Sequence, residues 1–344
     1  MLIILEKNYH QNDKQELYRY LDRNNAGYKL KNLGDREIMT IESNAYLLDT
    51  RQIEDFDAVD RAVRLTDPFP LVSSSNPDKG ERSIIEVGEV KIGRGSLTII
   101  AGPCSVENEE QILTVVEKLK KAGADIIRGG AYKPRTSPYS FHGLEVEGLK
   151  ILKEASDRFD IPVVTEILDV RDIEVVSNFA DMLQIGMRNM RNYPLLKEAG
   201  KAGKPVLLKR ATDATVEEWM LAAEYILNEG NDNVVLCERG ILNPAAPLKI
   251  VLDLNSVLEV IRRSHLPVIV DPSHASAERS TVLPLARAAA AAGVDGLMIE
   301  VHPEPHRALS DGFQAIYPDT FENKVKELKY INKTVKDFSD SDEN

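Results

Sequence analysis

LTIIAGPC, residues 97–104, is a short apolar run that ends on a thiol, and its pattern returns seven times by residue 300. ADII (124–127) runs into Arg128, PVVT (162–165) into Glu166, and MLQI (182–185) into Gly186 and then Arg188. PVLL stops at Lys209, VVLC at Glu238 and Arg239, PVIV at Asp271 and then His274, and GLMI at Glu300. Helix-like stretches separate the runs. Strand–helix alternation at this pitch predicts a parallel sheet, and eight units of it predict a closed (β/α)8 barrel. In such a barrel the strand ends form one mouth. A thiol, a histidine, carboxylates and several cations are therefore expected around a single opening.

Outside the repeat, residues 1–66 read as a small α+β domain. LIILE is strand-like, and DKQELYRYLDRNN is helix-like with Leu17 and Leu21 on one face. YKLKNLGDREIMTIE predicts two strands joined around Gly34-Asp35, IEDFDAVDRAV a second helix, and VRLTD a closing strand. The order βαββαβ is ferredoxin-like. Residues 67–83, rich in Pro and Ser, read as a linker, and 84–338 as the barrel, opened by a hairpin around Gly88-Glu89 that plugs its closed end. Ser105 is a candidate cap for the helix through EEQILTVVEKLKKAG. Thr212 or Asp213 is the candidate start of VEEWMLAAEYIL, and a further helix is expected after Pro284.

At 344 residues the chain fits a barrel of about 250 residues plus an accessory unit. Its net charge of −12 argues against nucleic acid as a partner, because phosphate backbones call for a basic surface. No apolar run approaches the roughly 20 residues of a membrane span, and MLIILEKNYHQ lacks the marks of a signal peptide. Two cysteines, Cys104 and Cys237, make no disulfide scaffold and fit a reducing, cytoplasmic setting.

Four residues have the makings of metal ligands: Cys104, His274, Glu300 and Asp311. They follow the first, seventh and eighth strands, which become neighbours when a barrel closes. Taken singly, Cys104 is more readily a buried filler, and His274 is as readily structural as ligating. Their joint placement favours metal. A thiolate, an imidazole and two carboxylates suit Mn2+, Fe2+, Co2+ or Zn2+. His302, two residues past Glu300, is expected at the same mouth, where it could orient a substrate. Arg128, Lys133, Arg135, Arg188, Lys209 and Arg239 form a second, cationic set at strand ends or just beyond. Ordinary basic residues are solvated. Six that follow buried strands need anionic ligands, phosphate or carboxylate, and more than one such group.

AGPCSVE, RGGAYKPRTSPYSF, QIG-x-RN, PVLLKR, LCERG, LPVIVDPSH and IEVHPEP with ALSDG, seven motifs in order, together resemble the 3-deoxy-D-arabino-heptulosonate 7-phosphate (DAHP) synthase family. The likeness is to the subfamily with a ferredoxin-like N-terminal domain. It implies an aldol-like condensation of phosphoenolpyruvate with erythrose 4-phosphate, the first step toward aromatic amino acids. Carried over by motif, Arg188 and Arg239 would hold the phosphate of phosphoenolpyruvate. Arg128, Lys133 and Lys209 would hold its carboxylate, with Lys209 also placed for proton transfer. Arg135, Thr136 and Ser137 would bind the aldose phosphate, with Glu166 also at the substrate site. Lys133, Lys209 and His302 are the candidate catalytic groups. The resemblance also implies a homodimer or homotetramer and an aromatic amino-acid effector.

The chain departs from the family after the fifth strand (KRATDAT), the sixth (CERGILNPAAPLKIVLD) and the seventh (DPSHASAERS), and Met187 stands where a small residue is usual. These changes leave open a paralogue using another phosphorylated aldose, in the manner of 3-deoxy-D-manno-octulosonate 8-phosphate synthase. A non-catalytic regulatory barrel is the reading from a different class.

Overall fold

A computed structural model describes residues 1–33, 36–64, 67–76, 82–93, 95–245, 250–276 and 278–342. The expected turn at Gly34-Asp35, residues 77–81 of the expected linker, and residues 246–249 and 277 of the divergent loops lie outside them. The chain divides into two compact units, Met1–Ser73 and Ser74–Asn344.

In the first unit the strands are β1 (Leu2–Leu5), β2 (Tyr28–Leu33), β3 (Arg36–Ile41) and β4 (Val59–Val63), with helices α1 (Gln11–Arg23) and α2 (Thr50–Glu54). The sheet order β2-β3-β1-β4, with antiparallel pairing throughout, is that of a ferredoxin-like βαββαβ unit. Alternation along β1 buries Ile3 and Leu5, and helical spacing buries Leu17 and Leu21 against them. One boundary differs from expectation. The closing strand comes earlier, at Val59–Val63, inside the stretch read as helix. Asp49 caps α2 by accepting from the Arg51 N–H, and the helix lasts only until Glu54. Farther on, Phe69 and Val72, within the stretch read as a linker, are fully buried.

The second unit is a closed barrel of eight parallel strands. They are β7 (Thr98–Gly102), β8 (Ile126–Arg128), β9 (Val163–Ile167), β10 (Met182–Ile185), β11 (Val206–Lys209), β12 (Val234–Glu238), β15 (Val268–Val270) and β16 (Gly296–Glu300). Closure is made by β16 on β7, in a register that sets Glu300 beside Gly102. A minor hairpin, β13 (Ile241–Leu242) and β14 (Ile250–Val251), follows β12. Ahead of the barrel, β5 (Ile85–Val87) and β6 (Val90–Ile92) pair as a hairpin. Ile85, Val87 and Ile92 pack in one cluster with Ile100, Ile126, Val164, Met182, Leu207, Val235, Ile269 and Met298. The hairpin is therefore the apolar floor of the barrel.

Strand alternation then determines what stands above that floor. Two residues past each floor residue, on the same inward face, come Gly102, Arg128, Glu166, Gln184, Lys209, Cys237, Asp271 and Glu300. Most of this second layer is polar, and so the site begins one layer above the hairpin.

The helices are α3 (Glu109–Ala122), α4 (Glu145–Phe159), α5 (Ile173–Ser177), α6 (Tyr193–Lys201), α7 (Val216–Leu227), α8 (Leu254–Arg263), α9 (Pro272–Ser276), α10 (Arg279–Ala291) and α11 (Pro318–Asp342). Two caps lie elsewhere than expected. Asn108, not Ser105, caps α3, because the Ser105 hydroxyl is 2.9 Å from that of Ser310 instead. Thr215 caps α7 in a reciprocal box with Glu218, displacing Thr212 and Asp213 from that role. Helix α10 starts at Arg279, ahead of Pro284, which it accommodates in its second turn. Both cysteines are free and buried. Among the described residues, no helix is long and apolar enough to cross a membrane.

If the hairpin is the barrel floor, Ile92→Ala will lower the unfolding free energy by about 2–5 kcal/mol, the usual loss for a fully buried isoleucine. Chemical denaturation measures this, and a loss under about 1 kcal/mol would mean the hairpin is not part of the core.

Candidate active site

The cleft above the floor has a volume of about 420 Å3 and is lined by Arg128, Lys133, Arg135, Glu166, Arg188, Lys209, Arg239, His274 and Asp311, with Gln184 and Gln314 among them. Beside it, one donor atom from each of Cys104, His274, Glu300 and Asp311 lies within 4.8 Å of all the others. The strand ends expected to converge do so. Local geometry shows how.

Gly102 has φ +156 and precedes Pro103, and a Cβ on it would fall 1.9 Å from the Arg128 carbonyl. The backbone there comes so close to β8 that only glycine fits, and the next turn delivers Cys104. His274 lies on α9, directly after β15. Its Nδ1 is 2.6 Å from Asp271 Oδ2, and its backbone N–H donates to Asp271 Oδ1 at 3.0 Å. With Nδ1–H given to the carboxylate, Nε2 is left facing the other donors, 3.4 Å from Glu300 Oε1. Glu300 accepts from Arg128 at 3.0 Å and from Gln314 Nε2 at 2.7 Å, and its own N–H donates to Ser273 Oγ. Asp311 has a left-handed backbone, φ +49, and accepts from the Cys104 thiol at 3.0 Å.

Burial, with Glu300 nearby, pushes the Cys104 thiol up to about 11, against the opposing pull of Lys133 and Arg128. Burial also acts to raise Asp311, but the thiol's hydrogen bond and the surrounding positive groups hold it below the usual carboxylate range. Asp271 is completely enclosed, yet His274 and Lys209 hold it well below that range. One soft sulfur, one imidazole nitrogen and carboxylate oxygens, gathered this closely, fit a borderline divalent cation.

The cationic set is equally specific in its partners. Lys133 Nζ donates to the carbonyl and the sulfur of Cys104, each at 3.1 Å. Lys209 Nζ is 2.6 Å from Asp271 Oδ2. Among the described residues, the buried Arg128 Nε and Arg135 Nη2 have no hydrogen-bond partner, so each is a donor free for an anion. Arg188 is exposed and donates to the Pro134 carbonyl at 3.4 Å. Glu238 turns the other way: it accepts from Arg210 at 3.0 Å and from the Gly240 N–H at 2.7 Å, which shapes the turn behind Arg239. Glu166 accepts from Gln184 at 3.4 Å, and a Cβ at Gly186 would fall 1.9 Å from its Oε1. Gly186 thus leaves the space that this carboxylate occupies.

Apart from the metal-type donors, three of the expected site residues are not brought into the cleft. Thr136 and Ser137 stand on an exposed loop beside Arg135, and neither lines it. His302 lies beyond the end of β16, where strand alternation no longer sets its direction. Its Nδ1 accepts from the Glu304 N–H, and its Nε2 lies 3.0 Å from Gln111 and 3.5 Å from Glu107. It lines a separate hollow with those residues. In the other direction, Gln184, Asp271 and Gln314 were not among the expected site residues. A glutamine inside the apolar run MLQI was a signal for the first, because position 184 shares the inward face of position 182. Gln314 lies in a loop, where no such periodicity applies.

Residues 72–336 match the family described as DAHP synthetase I. A Thermotoga maritima phospho-2-dehydro-3-deoxyheptonate aldolase is 42% identical over 332 residues, 96% of this chain and 97% of the relative. A 2-dehydro-3-deoxyphosphooctonate aldolase of Syntrophotalea carbinolica is 33% identical over 276 residues, 75% of this chain and 99% of the relative. The crystal structure of the Thermotoga maritima DAHP synthase superposes with a TM-score of 0.85 at 41% identity, covering 97% of each chain.

Two outcomes follow from the geometry. Asp271→Asn removes the acceptor that orients His274 and pairs with Lys209, and should weaken Co2+ binding about 10–100-fold in a chelator competition. The Cys104 thiol, protonated below about 11, must release its proton to ligate a cation. Affinity should therefore rise with pH, by about tenfold per unit between about pH 7 and 9, and Cys104→Ser should flatten that slope. A flat profile for the unaltered protein would exclude the thiolate as a ligand.

Proposed function

The chain belongs to the DAHP synthetase I family, and we propose that it condenses phosphoenolpyruvate with erythrose 4-phosphate to form DAHP and inorganic phosphate. The observation that carries this reading is the adjacency of two sets in one mouth: four metal-type donors within 4.8 Å of one another, and a cleft lined by six cations. Two phosphorylated anions repel each other, and fixed cations offset that repulsion before any bond forms.

In this assignment Arg188 and Arg239 take the phosphate of phosphoenolpyruvate. Arg128, Lys133 and Lys209 take its carboxylate, with the unpartnered Nε of Arg128 supporting that role. Arg135 takes the aldose phosphate through its free Nη2, with Thr136 and Ser137 on the loop beside it. The bond forms between C3 of phosphoenolpyruvate and the aldehyde carbon. Water adds at C2, and phosphate leaves with cleavage of its C–O bond. Lys133 and Lys209 are the proton-carrying groups at the reacting carbons, and Asp271 holds Lys209 in place. Glu166 is the carboxylate of the cleft wall, able to accept from a substrate hydroxyl. Cys104, His274, Glu300 and Asp311 would hold Mn2+, Fe2+, Co2+ or Zn2+, which when bound supplies a Lewis acid for the aldehyde oxygen. The ferredoxin-like unit is proposed as the regulatory and oligomerisation part of a homodimer or homotetramer, answering to an aromatic amino acid.

A second reading keeps phosphoenolpyruvate and changes the acceptor. It is favoured by Met187, Leu242 and Ile250, apolar residues of the divergent segments that line the cleft. One assay addresses both. Loss of phosphoenolpyruvate and release of phosphate are measured with erythrose 4-phosphate, arabinose 5-phosphate and ribose 5-phosphate, with and without chelator. Fastest turnover on erythrose 4-phosphate, abolished by chelator and restored by a divalent ion, is expected. Faster turnover on a five-carbon acceptor decides for the second reading, and no metal-dependent turnover on any acceptor overturns both.

A further inference from the structure

Of the four donors Asp311 lies farthest past its strand, in the loop between the short 3-10 turn Pro305–Arg307 and α11. Its backbone is in the left-handed region, at φ +49, which a non-glycine residue keeps only where its surroundings over-determine it. The segment after it is tied back at Ile316, whose backbone pairs with Glu300 and His302, and is clasped between those points by Arg279. Arg279, at the start of α10, donates from Nε to the Ala315 carbonyl at 2.6 Å and from Nη2 to the Gly312 carbonyl at 2.9 Å. Its backbone N–H donates to the Phe313 carbonyl at 3.1 Å, and its guanidinium lies 5.0 Å from the centre of the Tyr317 ring. Among the described residues, no carboxylate pairs with it. The planar fork of Arg279 is spent on backbone carbonyls, which a lysine could not capture in the same geometry.

Resting on the reading of the four donors as a metal site, we propose that Arg279 is a positioning residue that fixes where Asp311 presents its carboxylate to the cation. Arg279 does not line the cleft and touches no donor. It lies five positions past His274, so the segment after β15 that supplies one ligand also holds the loop that supplies another. Gln314, within the held segment, adds a second tie through its 2.7 Å hydrogen bond to Glu300.

The test is Co2+ binding by competition with a chromophoric chelator, together with the visible spectrum of the Co2+ form. The proteins are the full chain and its Arg279→Met, Arg279→Lys, Asp311→Asn and Arg279→Met/Asp311→Asn variants. Arg279→Met should bind Co2+ about 10–100-fold more weakly and shift the spectrum toward that of Asp311→Asn. Arg279→Lys should fall between Arg279→Met and the unaltered chain. The double variant should bind no more weakly than Asp311→Asn alone, because the role runs through that carboxylate. Unchanged affinity in Arg279→Met, or a double variant that loses the sum of both effects, overturns the proposal. Should Arg279→Met not fold, as judged by circular dichroism without metal, Arg279→Lys decides on the same two criteria. Failure of the unaltered chain to take up Co2+ would instead remove the metal site itself, and this role with it.

Discussion

The two hydrogen bonds that Asp271 Oδ2 accepts, from His274 Nδ1 and from Lys209 Nζ, both at 2.6 Å, join the halves of this site. One partner belongs to the donor set and the other to the cation set. A carboxylate enclosed this fully is costly unless its charge is met, and here it is met from both sides. Glu300 makes the same kind of junction, facing His274 on one side and Arg128 on the other. The two sets therefore have fixed spacing before any ligand arrives. Their geometry comes from shared carboxylates in a rigid sheet and not from mobile side chains that must be gathered at each encounter.

Much of this was legible in the chain because barrel strands encode their direction. Arg128, Glu166, Lys209, Asp271 and Glu300 each stand two residues past an apolar floor position, so period-two alternation suffices to aim them into one opening. The ferredoxin-like order was readable for the same reason: Ile3 and Leu5 alternate on β1, and Leu17 and Leu21 share a face of α1. What escaped was governed by loops and caps. His302 is separated from Glu300 by only one residue, but the strand has ended, and hydrogen bonds to Glu304 and Gln111 decide its direction. Ser105 looked like a helix cap, but a better-placed Asn108 was available and the hydroxyl met Ser310. The short helix before β4 stopped sooner than its composition suggested, and the strand took its place.

The resemblance read from seven motifs and the family match over residues 72–336 point to the same chemistry. The motifs lie at the strand ends, which carry the donors and cations. The departures lie beyond those ends, where Met187, Leu242 and Ile250 add apolar surface to a cleft lined by six cations. A change of acceptor would act on that surface while leaving the donor set untouched. A packed floor beneath loops that can change separately is what lets one barrel serve related reactions.

The hairpin that seals the barrel from below has a kinetic meaning as well as a structural one. It makes the cleft a cul-de-sac, with one doorway for everything that enters or leaves. Arg128, Lys133 and Lys209 sit at its buried end, whereas Arg135 is only half-buried and Thr136 and Ser137 beside it are exposed. Under the proposed assignment, the molecule held at the back must come in first, and the one held at the front closes the way behind it. Depth in the barrel thereby becomes sequence in time. The order of addition is written into the architecture by a few apolar side chains that never touch a substrate.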